Sequence, residues 1–405
     1  MQTRGIHRGL VTCSTVLALF LACAGPAHAA RVFAVTSEPA PRVVLFDAAA
    51  PGPLLSSANL SGLSATETVI GIDKRPATAT IYALTADGSD RFLRTLDPAS
   101  GVLGARLALS PDPADNTGVF TGLDTSKGVG IDFNPTVDRL RVVTGVGENM
   151  RLNPSTGLVI TDTTLNPGTP QVVAAAYTNN FVGSVGTTLY DFEYTANALV
   201  IQNPPNNGTL TTVGTNTGIT AVGADDVGFD ILTYGGPTTN LAFLMANKSL
   251  YSVNLTTGVA TLIGQIGGGA VPLRDITVSE NLMGFAVAGT GAAEDAGKVQ
   301  FAVVRQDPRD TATVNWATSD GSATAGSDYQ AASGTVTFGF NETTKIIEVP
   351  ITDDSAFEGA ESFTVTLSNP AATGPQQNSA IVFGSTATVA IADNDPAPPP
   401  PPATP

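Results

Sequence analysis

A repeated pattern over residues 31–280 constrains the fold of this chain more than any other feature. Each copy contains short stretches of alternating apolar and polar residues, separated by turns rich in Gly, Asn and Asp. Equivalent apolar positions stand 49, 58, 49 and 52 residues apart, at Phe33, Tyr82, Leu140, Leu189 and Leu241. A period of about 50 residues with three or four short strands per copy is typical of β-propeller blades.

The two ends of this region complement each other. The first copy lacks the leading Gly-x-Asp strand of the later ones, and a matching stretch, Leu273 to Val278, stands at the far end instead. We therefore expect the last strand to pair with the first copy, because this closure leaves no open sheet edge. The copies predict a five-bladed propeller-like domain, with six blades as the alternative.

Residues 284–395 follow a different pattern. At least six short alternating strands are separated by turn signals every 10–15 residues, which is typical of a β-sandwich. This region holds 14 acidic and 4 basic residues, a net charge of −10. Residues 396–405 are mostly proline and predict an extended, disordered tail. The expected fold is all-β, a propeller-like domain followed by a β-sandwich.

Residues 1–30 have the pattern of a secretory signal peptide. Arg4 and Arg8 precede an apolar run too short to anchor the chain in a membrane, and Ala27-His28-Ala29 is a small-x-small cleavage site. We therefore expect an exported protein, extracellular, on the cell surface or periplasmic, with no transmembrane segment in the mature chain. Lipidation of Cys23 in a lipobox-like Phe-Leu-Ala-Cys sequence is the minor alternative.

The signal peptide contains both histidines and both cysteines of the chain, at His7, His28, Cys13 and Cys23. Its removal excludes a Ser-His-Asp triad, a cysteine nucleophile, disulfides and Cys/His metal centres. It also takes 2 of the 19 basic residues, which leaves 17 against 35 acidic ones, a balance of −18. Such a chain repels nucleic acid, and the metals that suit it are hard cations held by oxygen.

The acidic residues of the second region are grouped where predicted strands end. Loops at one pole of a sandwich lie together, so these groups should repel one another unless a cation neutralises them. Ca²⁺ takes six to eight oxygens in a flexible shell, which acidic loops can supply. The alternative is that the acids only cap turns and keep the loops solvated.

The second region resembles the Calx-beta domain, a Ca²⁺-binding β-sandwich related to regulatory domains of sodium–calcium exchangers. The motifs that carry the resemblance are Asp320–Tyr329 with Ser333–Phe338, Val349–Asp354, Phe357–Phe363 and Ile391–Asp395. The resemblance implies Ca²⁺ ligands at Glu294, Asp328, Asp353, Asp354, Glu358, Glu361, Asp393 and Asp395. Ser355 and Asn394 stand where the family often has acids, which implies fewer ions or weaker binding.

The repeat region resembles a bacterial family known as domain of unknown function 4394. The residues that carry the resemblance are Gly130–Pro135 with Asp138–Val142, Asn149–Asn153, Ala176–Asn180 and Thr188–Asp191. The resemblance implies a propeller-like fold and a secreted location, and it supplies no reaction.

Two polar groups of the repeat region are further candidate sites. Four of the five copies carry an aspartate at one equivalent place, Asp73, Asp132, Asp230 and Asp275, and Ala176 stands there in the fifth. If this strand is innermost, the carboxylates can bind a cation in the central channel; otherwise each Asp caps its own turn.

The second group contains three arginines and two asparagines, Arg139, Arg141, Arg151, Asn149 and Asn153. These side chains can hold an anionic or sugar ligand, or they can be the solvent-facing positions of alternating strands.

These features predict an exported, non-catalytic binding or adhesion protein, with a propeller as recognition platform and a Ca²⁺-binding sandwich. Its partner would be a glycan or a surface protein. One alternative is a secreted propeller hydrolase or lyase, since glycoside hydrolysis needs only two carboxylates. The other is a structural cell-surface or matrix component. No carboxylate pair of the repeat region stands out for catalysis, so we assign no catalytic residue.

Overall fold

The computed structural model describes residues 30–214, 216–219, 223–233, 239–279, 282–286, 289–305, 311–373, 381–382 and 385–396. The predicted signal peptide and proline-rich tail lie outside the described residues, except for Ala30 and Pro396. Within the described ranges the regular structure is β-strand, apart from three short 3-10 helices at Pro205–Asn207, Ile266–Gly269 and Glu294–Ala296. The all-β prediction is confirmed. In the same ranges, no helix has the length and apolar character needed to cross a membrane.

The described strands of the repeat region form five sheets. The first contains β1 (Arg31–Thr36), β2 (Arg42–Asp47) and β3 (Ala50–Asn59). The second contains β4 (Glu67–Lys74), β5 (Ile81–Asp87), β6 (Asp90–Leu96) and β7 (Leu107–Ala108). The third contains β8 (Ser110–Pro111), β9 (Val129–Asn134), β10 (Arg139–Thr144), β11 (Asn149–Leu152) and β12 (Leu158–Thr161).

The last two sheets have four strands each. The fourth contains β13 (Val172–Tyr177), β14 (Leu189–Glu193), β15 (Ala198–Gln202) and β16 (Leu210–Val213). The fifth contains β17 (Val227–Thr233), β18 (Asn240–Ala246), β19 (Ser249–Val253) and β20 (Ala260–Gln265). Neighbouring strands are antiparallel throughout these sheets, except that β8 lies parallel to β12.

A further strand, β21 (Leu273–Ser279), completes the first sheet. It pairs antiparallel with β1, with Val32 opposite Val278 and Ala34 opposite Ile276. The prediction that the last strand joins the first copy is therefore confirmed. The strands β4, β9, β13, β17 and β21 contact one another in a closed order, and we call them the inner strands.

Glycine lets the inner strands approach one another closely. A Cβ atom on Gly130 of β9 would lie only 2.6 Å from the backbone carbon of Ala174 in β13. One on Gly228 of β17 would lie 2.7 Å from the carboxylate of Asp275 in β21. The Gly-x-Asp pattern of the repeat therefore combines a residue that makes room with a residue that reaches the neighbouring strand.

The described strands of the C-terminal region form two sheets. They are β22 (Leu282–Phe285), β23 (Gly289–Ala293), β24 (Lys298–Arg305), β25 (Thr311–Ser319), β26 (Ser333–Phe338), β27 (Thr344–Pro350), β28 (Glu361–Thr373), β29 (Ile381–Val382) and β30 (Thr386–Ala392). One sheet has the order β27-β24-β22-β29 and the other β23-β30-β28-β25-β26. Alternate side chains of both sheets, such as Val389 and Ile391 of β30, pack into one core. The β-sandwich prediction is confirmed.

Candidate functional site

The sandwich brings several strand ends to one pole. β23 runs parallel to β30, and their last residues Ala293 and Ala392 are paired. β28 begins at the same pole, because its first residue Glu361 pairs near the end of β30. β27 also ends there, with Pro350 opposite Lys298 at the start of β24. The acidic turns after β23, β27 and β30 therefore lie together.

Seven of the eight predicted ligands form three overlapping groups, in which one oxygen per carboxylate lies within 4.8 Å of the others. The groups are Glu294, Asp393 and Asp395; Glu294, Asp354 and Glu358; and Asp328, Glu358 and Glu361. Because two residues are shared between groups, the seven form one continuous cluster, which we call the acidic pole. Asp353 belongs to none of the groups, and its carboxylate accepts a hydrogen bond from the Asn394 amide at 3.2 Å.

Asp393 ties two turns of the acidic pole together. Its Oδ2 accepts hydrogen bonds from the N–H groups of Glu358 (2.8 Å) and Gly359 (2.7 Å), and its Oδ1 accepts one from Asp395 (2.7 Å). These donors, Gly359 first, hold the pKa of Asp393 below its usual value. Because hydrogen bonds to the ionised form favour it, Asp393 keeps its negative charge at neutral pH.

Glu294 and Asp328 are the buried members of the acidic pole, at 6% and 7% exposure. Glu294 Oε1 accepts a long hydrogen bond from the Asp354 N–H (3.4 Å), and Asp328 Oδ2 accepts one from the Thr324 N–H (2.6 Å). The acidic pole thus combines buried and exposed carboxylates from four segments of the chain. A set of oxygens from several loops around one space is what Ca²⁺ coordination requires.

Desolvation and mutual repulsion both act on the pKa values of these carboxylates. Burial raises the pKa of Glu294, Glu358, Glu361 and Asp395, and the charges of neighbouring acids add to the rise. Their ionised forms are therefore disfavoured in the metal-free chain. A cation placed among them would reverse this effect, because opposite charge stabilises ionised carboxylates.

Asp320 supports a loop and is not part of the acidic pole. Its carboxylate accepts hydrogen bonds from the Ala325 N–H (3.0 Å) and from the Tyr329 hydroxyl. The Tyr329 ring stacks on Phe363 with 4.0 Å between ring centroids. Burial, followed by the contact with Asp320, raises the pKa of Tyr329 to about 12. The loop that carries Asp328 is therefore anchored in the sandwich core.

The repeated aspartates of the first region lie on inner strands and link different sheets. The cross-sheet hydrogen bonds run to Asp275 from the Ile72 N–H (2.9 Å), to Asp73 from the Phe133 N–H (2.7 Å) and to Asp230 from the Val278 N–H (2.6 Å). Each of these aspartates also accepts the N–H of the residue that follows it. Local capping therefore accounts for only part of what these carboxylates do.

Asp73, Asp132 and Asp230 form a buried group, which we call the axial cluster. One oxygen from each lies within 4.8 Å of the others, and no member is more than 2% exposed. Burial raises the pKa of all three, and mutual repulsion adds to the rise for Asp73 and Asp132. Both oxygens of Asp132 are without a hydrogen-bond partner among the described residues. The Tyr177 N–H acts against the rise in the pKa of Asp132, although it makes no hydrogen bond within the usual distance and angle limits.

The predicted arginines surround a pocket of about 530 Å³ in the repeat region. Arg139, Arg141 and Arg151 line it, and the segment Pro204–Asn207 of the next sheet forms another part of its wall. The solvent-facing alternative is wrong for Arg141, which is 1% exposed. The two predicted asparagines are not among the lining residues: Asn149 accepts a hydrogen bond from Arg141, and Asn153 caps a turn.

Asp162, which the sequence pattern did not single out, balances two of these arginines. It accepts hydrogen bonds at 2.7 Å from Arg141 and from Arg151, and its side chain is 2% exposed. Arg139 is half-buried and donates to the backbone carbonyl of Asp138 (3.2 Å). None of the described residues that line the pocket is an Asp or a Glu. The charge balance of the pocket wall therefore suits an acidic ligand.

The fold and the acidic pole define a two-region β protein with a Calx-beta-type sandwich. Residues 278–395 match the Calx-beta domain. The chain belongs to the family described as domain of unknown function (DUF4394), whose match spans residues 42–277.

Sodium/calcium exchangers are similar to a part of this chain. Exchanger 1 of Canis lupus familiaris is 39% identical over 118 residues, 26% of this chain and 12% of the exchanger. Exchanger 3 of Homo sapiens is 46% identical over 78 residues, 19% of this chain and 8% of the exchanger. The chain thus spans only a small part of these relatives. The crystal structure of the apo-form Calx CBD1 domain aligns with a TM-score of 0.26 and 29% identity, over 28% of this chain and 98% of that domain.

Proposed function

We propose that this protein is an exported, non-catalytic binding protein with a Ca²⁺-binding sandwich and a five-bladed propeller as recognition platform. The acidic pole is the observation that carries the proposal, because carboxylates from four segments form three overlapping groups, and the oxygens within each group lie within 4.8 Å of one another. The Calx-beta match over residues 278–395 supports Ca²⁺ as the ion. Export rests on the signal-peptide pattern of residues 1–30.

The members of the acidic pole are the proposed Ca²⁺ ligands, and Asp353 is the eighth. Ca²⁺ bound there would join the turns after β23, β27 and β30 to the start of β28. Because the ion binds the folded sandwich and not the unfolded chain, it would stabilise this region by mass action. A sandwich stiffened in this way would act as a stalk beside the propeller.

A thermal unfolding experiment on the full chain tests the Ca²⁺ proposal. Trp316 is the single tryptophan of the chain and lies in β25, so its fluorescence reports on the sandwich. At a Ca²⁺ concentration of about 100 times Kd, we expect the melting temperature to rise by about 10 °C. The combined Glu294→Gln and Asp393→Asn variant should lose this rise.

The matched control for this experiment is Glu342→Gln, which removes an acid from the turn between β26 and β27 at the other end of the sandwich. This variant should keep the full response to Ca²⁺. An identical melting curve of the wild-type chain in millimolar Ca²⁺ and in chelator would contradict the proposal.

We further propose that the arginine-lined pocket binds an acidic glycan. Asp162 offsets the charges of Arg141 and Arg151, whereas the hydrogen bond of Arg139 goes to a backbone carbonyl. A carboxylated sugar would complement Arg139, and the amide groups of the wall would bind its hydroxyls. The absence of Asp and Glu from the described pocket lining favours binding over glycoside hydrolysis, which needs two carboxylates.

An array of neutral and acidic oligosaccharides, probed with the full chain, tests this second part. We expect binding to acidic members, and a loss of at least about tenfold in affinity for Arg139→Ala. Arg42→Ala is the control, since Arg42 pairs with Glu38 away from the pocket lining. Equal binding by both variants, or a preference for neutral sugars, would refute this assignment.

A further inference from the structure

The inner strands hold three carboxyl groups in a space that is almost closed to solvent. Asp73 comes from β4, Asp132 from β9 and Asp230 from β17, and one oxygen of each lies within 4.8 Å of the others. Each is at most 2% exposed. Charges at this separation repel strongly when water is excluded, so the group needs protons or a cation to be stable.

Hydrogen bonds favour the ionised form of two members. The two oxygens of Asp73 accept the N–H groups of Lys74 (2.7 Å) and Phe133 (2.7 Å). Those of Asp230 accept the N–H groups of Ile231 (2.6 Å) and Val278 (2.6 Å). N–H donors at both oxygens stabilise a carboxylate and disfavour the protonated acid. These donors act against the effect of burial, so they favour a cation over protons as the means of neutralising Asp73 and Asp230.

Thr277 does not remove the repulsion between the carboxylates of Asp73 and Asp230. Its hydroxyl lies 3.0 Å from an oxygen of Asp73 and 3.0 Å from an oxygen of Asp230. A hydroxyl has one proton and can donate to only one of them at a time. Lys74 contributes a nearby positive charge, which acts on Asp230.

Asp132 is the member that points to a ligand. It is 1% exposed, and neither oxygen has a hydrogen-bond partner among the described residues. A buried carboxylate with no donor in hydrogen-bond geometry is costly, and it is rare unless an ion or a water completes it. Its oxygen lies within 4.8 Å of oxygens from Asp73 and Asp230, so one ion can contact all three.

We infer that the axial cluster binds a hard divalent cation, Ca²⁺ or Mg²⁺, between β4, β9 and β17. Three carboxylate oxygens are suitable first ligands for either ion, with water to complete the shell. This site is separate from the acidic pole, and it would join three of the five sheets at their inner strands. The ion would bind during folding, because the surrounding strands leave the cluster no exposure to solvent.

Metal analysis of the full chain tests this inference. Protein refolded with Ca²⁺, with Mg²⁺, or with both is passed through metal-free buffer, and its metal content is measured by mass spectrometry. We expect Asp132→Asn to hold about one equivalent less than wild type, and Asp275→Asn to hold as much as wild type. The Ca²⁺ response of Trp316 fluorescence should be unchanged in both variants, which separates this site from the acidic pole.

Equal metal content in Asp132→Asn and wild type would overturn the inference, as would equal losses in Asp132→Asn and Asp275→Asn. If Asp132→Asn fails to fold, the wild-type chain supplies the second measurement. Its repeat region should unfold at higher denaturant when refolded with the ion than when refolded in chelator, by circular dichroism. No difference there would mean that protons alone neutralise the cluster, and the inference would fail.

Discussion

The axial cluster and the acidic pole contain the same carboxylate chemistry in opposite surroundings. The axial carboxylates sit on strands, are almost fully buried, and come from one position of a repeat. Those of the acidic pole sit mainly in turns, and several are half-buried or exposed. Asp73 and Asp230 hold neighbouring sheets together through backbone N–H groups. Within the acidic pole, Asp393 makes equivalent bonds between turns.

This difference shows why a repeated acid and a grouped acid call for different interpretations. A residue repeated on inner strands must first serve the contact between sheets, because every copy meets the same neighbour. Any ligand function is then an addition at particular copies, as for Asp132. Acids grouped in turns at one pole have no such structural demand, so their mutual repulsion points more directly to a cation.

The largest effect on stability should come from a substitution at Gly130, where two inner strands approach each other most closely. A Cβ on Gly130 would lie 2.6 Å from the backbone of Ala174, which cannot move aside as a side chain can. We expect Gly130→Ala to destabilise the repeat region by about 3 kcal/mol. Gly186→Ala is the control, because no atom lies within 4 Å of its Cβ position. Denaturant unfolding followed by circular dichroism measures both, and similar midpoints would contradict the packing argument.

The second largest loss of stability should come from Asp275, whose carboxylate links the last inner strand to the second sheet. Asp275→Ala leaves the buried N–H of Ile72 without its acceptor and opens space beside Gly71 and Gly228. We expect a loss of about 2–3 kcal/mol. The contrasting substitution is Asp354→Ala in chelator, which should change sandwich stability by about 0.5 kcal/mol or less, since Asp354 is exposed. Equal losses of stability in the two variants would contradict the proposed difference between the repeated aspartates and the acidic pole.

The sequence predicted the repeat, its closure and the acidic turns, because these depend on local pattern and on spacing. It could not predict the partners of the axial carboxylates, since the stagger between inner strands varies. Asp73 bonds the residue after Asp132, whereas Asp275 bonds the residue before Asp73. The contact of Asp162 with two arginines could not be predicted either, because it depends on the packing of three strands. Asp353, predicted with the others, lies outside the three groups.

A buried carboxylate outside both groups, Asp191, tests how burial by itself affects the pKa of an acid and the stability of the fold. Asp191 of β14 is fully buried, and neither oxygen has a hydrogen-bond partner among the described residues. Burial raises its pKa to about 8, against the attraction of Arg141. Since its pKa in the unfolded chain is about 4, Asp191 lowers stability progressively as pH rises from about 4 to about 8.

Asp191→Asn should remove this pH dependence. We expect the variant to gain about 3–4 kcal/mol relative to wild type between pH 5 and pH 8, measured by urea unfolding in chelator. Asp90→Asn, at an exposed hairpin turn, should follow the wild-type pH profile. Parallel profiles for Asp191→Asn and wild type would mean that water or a proton donor already compensates the carboxylate.

The smallest effect should come from neutralising one exposed member of the acidic pole. Partial desolvation by the crowded turns, followed by the charges of Asp328 and Asp354, raises the pKa of Glu358. Its ionisation therefore opposes folding at neutral pH when no cation is bound. Glu358→Gln should therefore raise the sandwich midpoint slightly in chelator and yet weaken its response to Ca²⁺, as read from Trp316 fluorescence. The two shifts have opposite signs because repulsion is relieved in one state and a ligand is lost in the other. If Glu358→Gln lowers the midpoint in chelator as well, Glu358 stabilises the turn on its own, and the acidic pole is not strained in the way that its crowded carboxylates indicate.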